Sequence, residues 1–253
     1  MAQTAALRAA LREQEEKRAR LFSVRKPFSE HLWKWEDAIL PDMYDHNTFE
    51  AAGVPSEAEL CAARQYQRDG GRSFWKLETN EPLPPAVTDG YGFSKGCTLT
   101  MAAMPGAHRV WRQNGAVTAA DVGERDIEAD ILAVELRNYG AAYGEDFVRR
   151  KTARYCAAAR RDGRFHYFGA YEGGRIVGAC WAFCSDGYTG IDGLIVDPGA
   201  RGRYVATTLM AQIGERLGGR LYLHADLDDT PREMYGKMGF CAVDRLYEYL
   251  AEL

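Results

Sequence analysis

The segment from residue 191 to residue 217 constrains the fold of this chain more than any other part of the sequence. It begins with six residues, 191–196, whose apolar character is typical of a buried strand. Asp197 and Pro198 end that strand, and a turn rich in Gly and Arg follows at 199–204. The next apolar side chains fall on one helical face, namely Val205, Leu209, Met210, Ile213 and Leu217. The segment therefore predicts a strand, a turn and a helix in direct succession.

The rest of the second half predicts a sheet covered by helices. Before this segment, hydrophobic periodicity predicts a strand at 110–116, helices at 121–139 and 145–160, and strands at 165–172, 175–184 and 188–196. After the helix at 202–217 we expect a strand at 221–225, a short helix at 231–238 and a final strand at 241–250. This alternation of elements predicts an α/β or α+β fold.

The first half of the chain has a similar alternation. It predicts a helix at 5–21, a strand at 31–40, a helix at 56–68, a strand at 74–78, and a turn followed by a strand at 91–101. Gly92-Phe93 in the last of these resembles Gly239-Phe240 before the final strand of the second half. Met104-Pro105-Gly106 then breaks the pattern. We therefore predict two domains, residues 1–105 and 106–253, built on a duplicated fold; two unrelated small domains are the alternative.

Composition places the chain among ordinary globular proteins, since 46% of its residues are hydrophobic and 27% are charged. A formal net charge of -4, without a block of like charges, argues against a nucleic-acid partner. No run approaches about eighteen apolar residues, and the N-terminal residues mix acidic and basic side chains. Neither a membrane association nor a secretion signal is predicted.

The six cysteines are scattered along the chain, mostly among apolar neighbours, which is typical of free thiols in a reducing compartment. We therefore expect a cytoplasmic protein. Cys180 and Cys184 form a C-x3-C pair, but no second ligand pair accompanies them, so no metal site is predicted.

The turn at 199–204 has the chemistry of an anion site. The first N–H groups of a helix have no intrahelical acceptor, and the helix dipole adds about half a positive charge there. Arg201 and Arg203 can add guanidinium contacts, so a pyrophosphate would fit. A plain surface connection between strand and helix is the alternative. The spacings of the Rossmann dinucleotide motif and of the Walker loop are both absent from this turn.

Two blocks of residues resemble the GNAT superfamily of N-acetyltransferases. The pattern of its motif A, V-x-P-x-x-R followed by [RQ]-x-x-G-x-[GA], is matched at Val196, Pro198, Arg201 and Ala206. Tyr204 stands where the family usually has its central Gly. The pattern of motif B, Y-x-K-x-G-F, is matched at Tyr235, Lys237, Gly239 and Phe240. Asp228, before this block, stands where many relatives have Asn.

This resemblance covers about residues 108–253 and implies the GNAT acyltransferase fold, a mixed central sheet with flanking helices. The fourth and fifth strands of that sheet splay apart to admit the pantetheine arm of acetyl-CoA, and the fold is expected in tandem here. The residues that the resemblance assigns to the coenzyme are Leu194, Ile195, Val196, Arg201, Gly202, Arg203, Tyr204, Val205, Ala206, Asp228 and Tyr235. The first half contains no V-x-P-x-x-R turn, so we expect that it has lost acyl-CoA binding.

The resemblance also implies catalytic roles. Tyr235 is the candidate acid, because a phenol is protonated at neutral pH and can donate to a departing thiolate; the alternative is an aromatic packed under the sheet. Asp192 is the candidate base, acting through a water, unless it is only a structural carboxylate. Glu135, on the first helices, is a second candidate base, and a solvated helix face is its alternative. Many such enzymes need no dedicated base.

The function implied is that of an acetyl-CoA-dependent N-acetyltransferase, which acetylates a primary amine by direct attack in a ternary complex. The acceptor is expected to be a small molecule or a peptide, and the protein a monomer or homodimer. One alternative is a non-catalytic acyl-CoA-binding sensor or scaffold, which Tyr204 keeps open. Another is a tandem-GNAT aminoacyl transferase that uses aminoacyl-tRNA; the absence of a basic surface signal argues against it.

Overall fold

The chain divides into two compact units in the computed structural model, which describes residues 2–228 and 231–253. The first unit contains Met1–Thr100, Ala225–Arg232 and Ala242–Leu253, and the second contains Met101–His224 and Glu233–Cys241. The units are thus discontinuous in sequence, because the last strand of the chain packs with the first unit. The division into domains of residues 1–105 and 106–253 stays a prediction.

The first unit is a β-sheet whose strands are connected along the chain by helices and turns. Its strands lie in the order β1-β2-β3-β4-β11-β5. β1 pairs antiparallel with β2, β2 antiparallel with β3, and β3 parallel with β4. The elements are α1 (Ala2–Ala19), β1 (Val24–Pro27), β2 (Leu32–Glu36), β3 (Phe49–Ala51), α2 (Glu57–Asp69), β4 (Phe74–Thr79), α3 (Pro85–Gly90) and β5 (Ser94–Ala103), with β11 (Phe240–Glu252) from the end of the chain.

The second unit has the strand order β10-β9-β8-β7-β6. β6, β7, β8 and β9 form an antiparallel run, and β9 pairs parallel with β10. Its elements are β6 (Val117–Asp121), α4 (Glu128–Tyr143), α5 (Glu145–Arg161), β7 (Phe165–Glu172), β8 (Arg175–Ser185), β9 (Tyr188–Val196), α6 (Val205–Leu217), β10 (Arg220–Asp226) and α7 (Pro231–Lys237).

The two units repeat one topology. In each, two antiparallel pairings are followed by a helical crossover to a parallel strand, as β1-β2-β3-α2-β4 and as β7-β8-β9-α6-β10. A short helix then leads to a glycine with positive φ, Gly92 at 68° and Gly239 at 89°, directly before a Phe and a strand. This shared order agrees with the duplicated fold that the sequence predicts.

Most predicted elements of the second half are confirmed, including the strands at 165–172 and 188–196. The predicted strand at 110–116 is wrong, because Ala107–Val110 form a 3-10 turn and β6 begins at Val117. Asn114 explains the difference, since its side-chain oxygen accepts from the Ala116 amide at 3.0 Å and closes an Asx turn. Three short elements of the first half, β1, β3 and α3, had no clear periodicity to predict them.

Helix α4 begins at Glu128 rather than at residue 121. The side chain of Asp121 accepts from the Gly123 amide at 3.0 Å, which holds the preceding residues in a turn. Within residues 2–228 and 231–253, no helix combines the length and the apolar character that crossing a bilayer requires.

Lys34 is a buried lysine that lies against the apolar core of the first unit. Trp75, Leu77 and Phe49 are fully buried in this core. Lys34, on β2, is 2% exposed, and its ammonium nitrogen lies 4.6 Å from the centre of the Phe49 ring. No hydrogen-bond acceptor contacts that nitrogen among the described residues. Burial lowers the pKa of Lys34 to about 7, although the nearby Glu36 carboxylate acts in the opposite direction.

We predict that Lys34→Met raises the free energy of unfolding at pH 7 by roughly 2–5 kcal/mol, since one pKa unit corresponds to about 1.4 kcal/mol. The folded-state pKa lies below the unfolded value, so the unfolded chain binds the extra proton between pH 7 and pH 10.5. The destabilisation by Lys34 is therefore complete below pH 7 and fades as the pH rises toward 10.5. Urea unfolding, monitored by Trp fluorescence between pH 6 and pH 10, measures the gain in unfolding free energy of Lys34→Met.

Lys26→Met is the matched control, because the Lys26 side chain is 60% exposed. It should change stability little at any pH. A gain for Lys34→Met that stays constant across the pH range would contradict the assignment of a buried neutral amine.

Candidate functional site

The second unit contains an opening in its sheet. The parallel pairing of β9 with β10 runs from Tyr188 opposite Arg220 to Ile191 opposite Leu223. β9 continues beyond this last pair to Val196. Five residues of β9 therefore extend past the point where the two strands pair. An extended ligand can use their backbone groups in place of a neighbouring strand.

A bulge at Gly193 shapes the strand where the opening begins. Ala179 pairs with Ile195 and Trp181 with Asp192, so Gly193 and Leu194 fall in an irregularity of the register. Gly193 has a φ of 60°, and a Cβ atom there would lie 2.9 Å from the Trp181 Nε1. Glycine is required by both the backbone angle and the indole. The bulge re-aims the backbone of Asp192 and Leu194, two of the residues predicted for the site.

Helix α4 anchors the end of β9. The Arg137 guanidinium donates to the Asp197 carboxylate, with its closest contact at 2.7 Å, and the Asn138 side-chain amide donates to the same carboxylate at 3.2 Å. Pro198–Ala200 then form a 3-10 turn. Asp197 is 7% exposed and accepts from both side chains, so these charge-assisted bonds hold the strand end to α4.

The N-terminus of α6 follows this turn directly, and hydrogen bonds are made there to two backbone carbonyls. The Tyr204 carbonyl accepts from both the amide and the hydroxyl of Thr208, at 2.9 and 2.7 Å. The Asn114 side-chain amide donates to the Arg203 carbonyl at 3.1 Å. These bonds occupy carbonyls, and the first N–H groups of the helix, from Val205 onward, have no intrahelical acceptors. Such a helix end can bind an anion, and the anion site at 201–206 stays a prediction.

Tyr204 departs from the conformation that a side chain prefers. Its φ is 61°, in the left-handed region that favours glycine, at a cost of about 1–2 kcal/mol. The ring is 39% exposed, and the Arg112 guanidinium lies over it at 4.3 Å from the centroid. The sequence does not point to Arg112, since the contact spans two separate loops.

The two predicted arginines differ in their surroundings. Arg203 forms an ion pair with Glu172 at 2.5 Å. Arg201 donates through Nε to the Val196 carbonyl at 3.2 Å and has no carboxylate partner among residues 2–228 and 231–253. Both side chains are exposed, as are Gly202 and the ring of Tyr204. Their contacts with a phosphate stay a prediction.

Tyr235, the predicted acid, is buried on α7 with 8% exposure. Its ring makes an edge contact with Phe240 at a centroid distance of 5.9 Å. The Trp111 indole donates to the Met238 carbonyl at 2.7 Å and fixes the end of the helix. The packing alternative for Tyr235 is thus present, and it is compatible with a role for the hydroxyl.

Three candidate catalytic residues, Glu135, Asp192 and Tyr235, act on the pKa of Tyr139 on α4. Burial raises the pKa of the Tyr139 hydroxyl, and the Glu135 and Asp192 carboxylates raise it further. Tyr235 acts on Tyr139 in the same direction. Asp192 and Tyr235, which come from different elements, are therefore both within electrostatic reach of one phenol. Sequence reasoning missed Tyr139, although its position four residues after Glu135 puts it on the same helix face.

The interpretation of Glu135 as part of a solvated helix face is wrong. Glu135 is 1% exposed, its carboxylate accepts from Lys151 at 2.8 Å, and the Tyr167 hydroxyl also donates to it. Periodicity within α4 could not reveal this, because Lys151 comes from α5. A carboxylate that is buried and already bonded to two donors is a poor candidate base, because its oxygens are not accessible to a substrate amine.

Asp228 lies in the turn after β10, among the residues that pack with the first unit, and its side chain is exposed. Its amide donates to the Asp226 carboxylate at 2.9 Å. The predicted contact of Asp228 with the coenzyme stays a prediction.

The first unit carries a different arrangement at the corresponding helix. The N-terminus of α2 has the capping box that the sequence predicts, with Ser56 and Glu59 bonded reciprocally. The Glu59 carboxylate also accepts from the Ser29 hydroxyl at 2.6 Å and from the His31 amide at 3.0 Å. These donors hold the pKa of Glu59 well below its usual range, with the Ser29 contact as the largest cause. A carboxylate of the chain itself thus occupies this helix N-terminus.

Residues 129–240 match the model of the acetyltransferase (GNAT) family. No curated protein is significantly similar to the chain. A conserved protein of unknown function from Staphylococcus epidermidis is similar in structure, with a TM-score of 0.79 and 17% identity over 91% of this chain and 94% of that one.

Two further solved structures share the fold. A GCN5-related N-acetyltransferase from Kribbella flavida has a TM-score of 0.66 and 19% identity over 95% of this chain and 94% of that one. A tandem GNAT protein from the clavulanic acid biosynthesis pathway has a TM-score of 0.56 and 15% identity over 87% of this chain and 78% of that one. The domain at residues 129–240 therefore belongs to the GNAT acetyltransferase family, in a chain whose fold is shared with a tandem GNAT protein.

Proposed function

We propose that this protein is an acetyl-CoA-dependent N-acetyltransferase that acetylates a primary amine by direct attack within a ternary complex. The observation that carries the proposal is the end of the β9–β10 pairing at Ile191 and Leu223, directly before a helix N-terminus suited to a pyrophosphate. Membership of residues 129–240 in an acetyltransferase family supports the same chemistry.

In this proposal the second unit supplies two kinds of contact to acetyl-CoA. The N–H groups of the turn and of the first helical turn, residues 201–206, bind the pyrophosphate. The backbone of Leu194, Ile195 and Val196 pairs with the pantetheine arm as an added strand would. The bulge at Gly193 then lies where the thioester enters the opening, and its backbone can orient the acetyl carbonyl.

The acceptor amine must lose a proton and attack the carbonyl carbon, and the carbon–sulfur bond must then break with protonation of the thiolate. Asp192 takes the ammonium proton through a water, and Tyr235 donates the proton that the leaving sulfur requires. Both groups lie within electrostatic reach of Tyr139, which supports a shared site. The burial of Glu135 favours Asp192 as the base.

We propose one coenzyme site per chain, because Glu59 places a negative charge at the N-terminus of α2 where a phosphate would otherwise bind. The acceptor is a small-molecule or peptide amine. The six free cysteines support a reducing, cytoplasmic location. Coenzyme binding without turnover over a broad amine panel would instead favour an acyl-CoA sensor or scaffold.

We expect saturating CoA to raise the melting temperature by several degrees, since ligand at a hundredfold excess over Kd stabilises by about 2.7 kcal/mol. Ala206→Glu places a carboxylate in the first turn of α6, where it favours the helix but repels phosphate. Its affinity for CoA should fall roughly tenfold or more. Calorimetric titration and thermal unfolding measure both effects.

Ala206→Gln is the control of matched size and should retain most of the affinity. Absence of any shift with CoA, or equal effects of Glu and Gln, would contradict the placement of the pyrophosphate at this helix.

We predict that Tyr235→Phe lowers kcat roughly 100-fold or more while the Kd for CoA changes less than about twofold. The Phe ring retains the edge contact with Phe240, so the fold should be unaffected. Thiol release from acetyl-CoA, with the best amine of a panel, measures turnover. Tyr66→Phe, which removes a hydroxyl bonded to Glu36 in the first unit, is the control and should retain full activity. Unchanged turnover when chemistry limits the rate would dismiss the acid role.

Asp192→Asn tests the base. If Asp192 accepts the ammonium proton, we expect kcat/KM at pH 7 to fall roughly 100-fold. The loss should shrink as the pH approaches the pKa of the amine, because the amine then arrives unprotonated. A purely structural aspartate would give the same loss at every pH, and that result from the pH–rate profile would reject the role.

A further inference from the structure

The arginines around the α6 N-terminus differ in whether a carboxylate pairs with them. The Glu172 carboxylate pairs with Arg203 at 2.5 Å, so this guanidinium contributes little net charge. Arg112 has no carboxylate partner among the described residues and lies instead over the Tyr204 ring at 4.3 Å. Arg112 and Arg201 are therefore two arginines near the α6 N-terminus that have no carboxylate partner among the described residues.

Stacking leaves the donors of Arg112 available. The guanidinium carbon of Arg112 lies over the Tyr204 ring, and a guanidinium carries five N–H donors, more than one ring can accept from. The ring also restricts the side chain, so that less rotamer freedom is lost when an anion binds. The Arg112 side chain is thus preorganised for a bidentate contact with a phosphate.

The strained backbone of Tyr204 is consistent with such a use. A glycine would adopt the φ of 61° without cost, but it would leave Arg112 without its ring. The neighbouring segment is already fixed to the turn, because the Asn114 side chain bonds the Arg203 carbonyl and its amide donates to the Thr208 hydroxyl at 2.8 Å. Arg112 and the helix N-terminus therefore belong to one rigid arrangement within the second unit.

We propose that Arg112, held by Tyr204, binds the 3′-phosphate of the coenzyme and makes the site selective for CoA over its 3′-dephospho form. This rests on the proposed function, which places the pyrophosphate on the amides of residues 201–206. Coenzyme A carries one more phosphate than these amides engage, and that monoester is its most highly charged group. A guanidinium beside the diphosphate site is matched to it in charge and geometry.

The test compares the Kd values of CoA and 3′-dephospho-CoA by calorimetric titration. The wild-type protein should prefer CoA roughly tenfold or more, as expected for a charge-assisted bidentate contact. In Arg112→Gln the preference should fall to about unity, and the affinity for dephospho-CoA should stay unchanged. Tyr204→Gly should reduce the preference in the same way, whereas Tyr204→Phe, which keeps the ring, should retain it.

Arg109→Gln is the matched control, since it removes a guanidinium from the same segment and should leave the preference intact. Equal affinities of the wild-type protein for the two ligands, or an undiminished preference in Arg112→Gln, would overturn the assignment of Arg112 to the 3′-phosphate. Neither result would contradict the proposed coenzyme site. Failure of the wild-type protein to bind either ligand would contradict the proposed coenzyme site itself.

Discussion

The loss of parallel pairing between β9 and β10 after Ile191 and Leu223 is the constraint on which the candidate site depends. A crossover helix must start at the carboxyl end of the first strand, so the N-terminus of α6 lies at the end where the pairing has stopped. Unused backbone groups and a positive helix end thus occur together. An elongated ligand with an anionic end matches both.

Helix α4 gives this opening its rigidity. Arg137 and Asn138 hold the end of β9 through Asp197, and Glu135 ties the same helix to α5 and β7 through Lys151 and Tyr167. Removing Lys151 would leave the buried Glu135 carboxylate without its cation, which is a destabilising change. The polar contacts of α4 therefore fix where Tyr139 and the strand end lie, as catalysis by positioning requires.

The two units show how one topology can carry different chemistry. In both, a helix connects parallel strands, and in both its N-terminus offers unpaired N–H groups. In the first unit the Ser56 hydroxyl accepts from the Glu59 amide and the Glu59 carboxylate accepts from the Ser56 amide, while in the second unit the helix follows a turn with positive φ at Gly202 and Tyr204. The two helix N-termini therefore differ in charge, with a carboxylate at one and a turn without a capping carboxylate side chain at the other.

Local patterns in the sequence determined the alternation of strands and helices, the turn before α6, the capping box of α2 and the family of residues 129–240, because each depends on neighbouring residues or on a contiguous motif. The tertiary structure decided the burial of Glu135, the stacking of Arg112 on Tyr204, the position of Tyr139 and the insertion of β11 beside β4. Asn114 meets Arg203 across 89 residues and Arg137 meets Asp197 across 60. Such contacts arise only when separate elements pack, and no local periodicity encodes them.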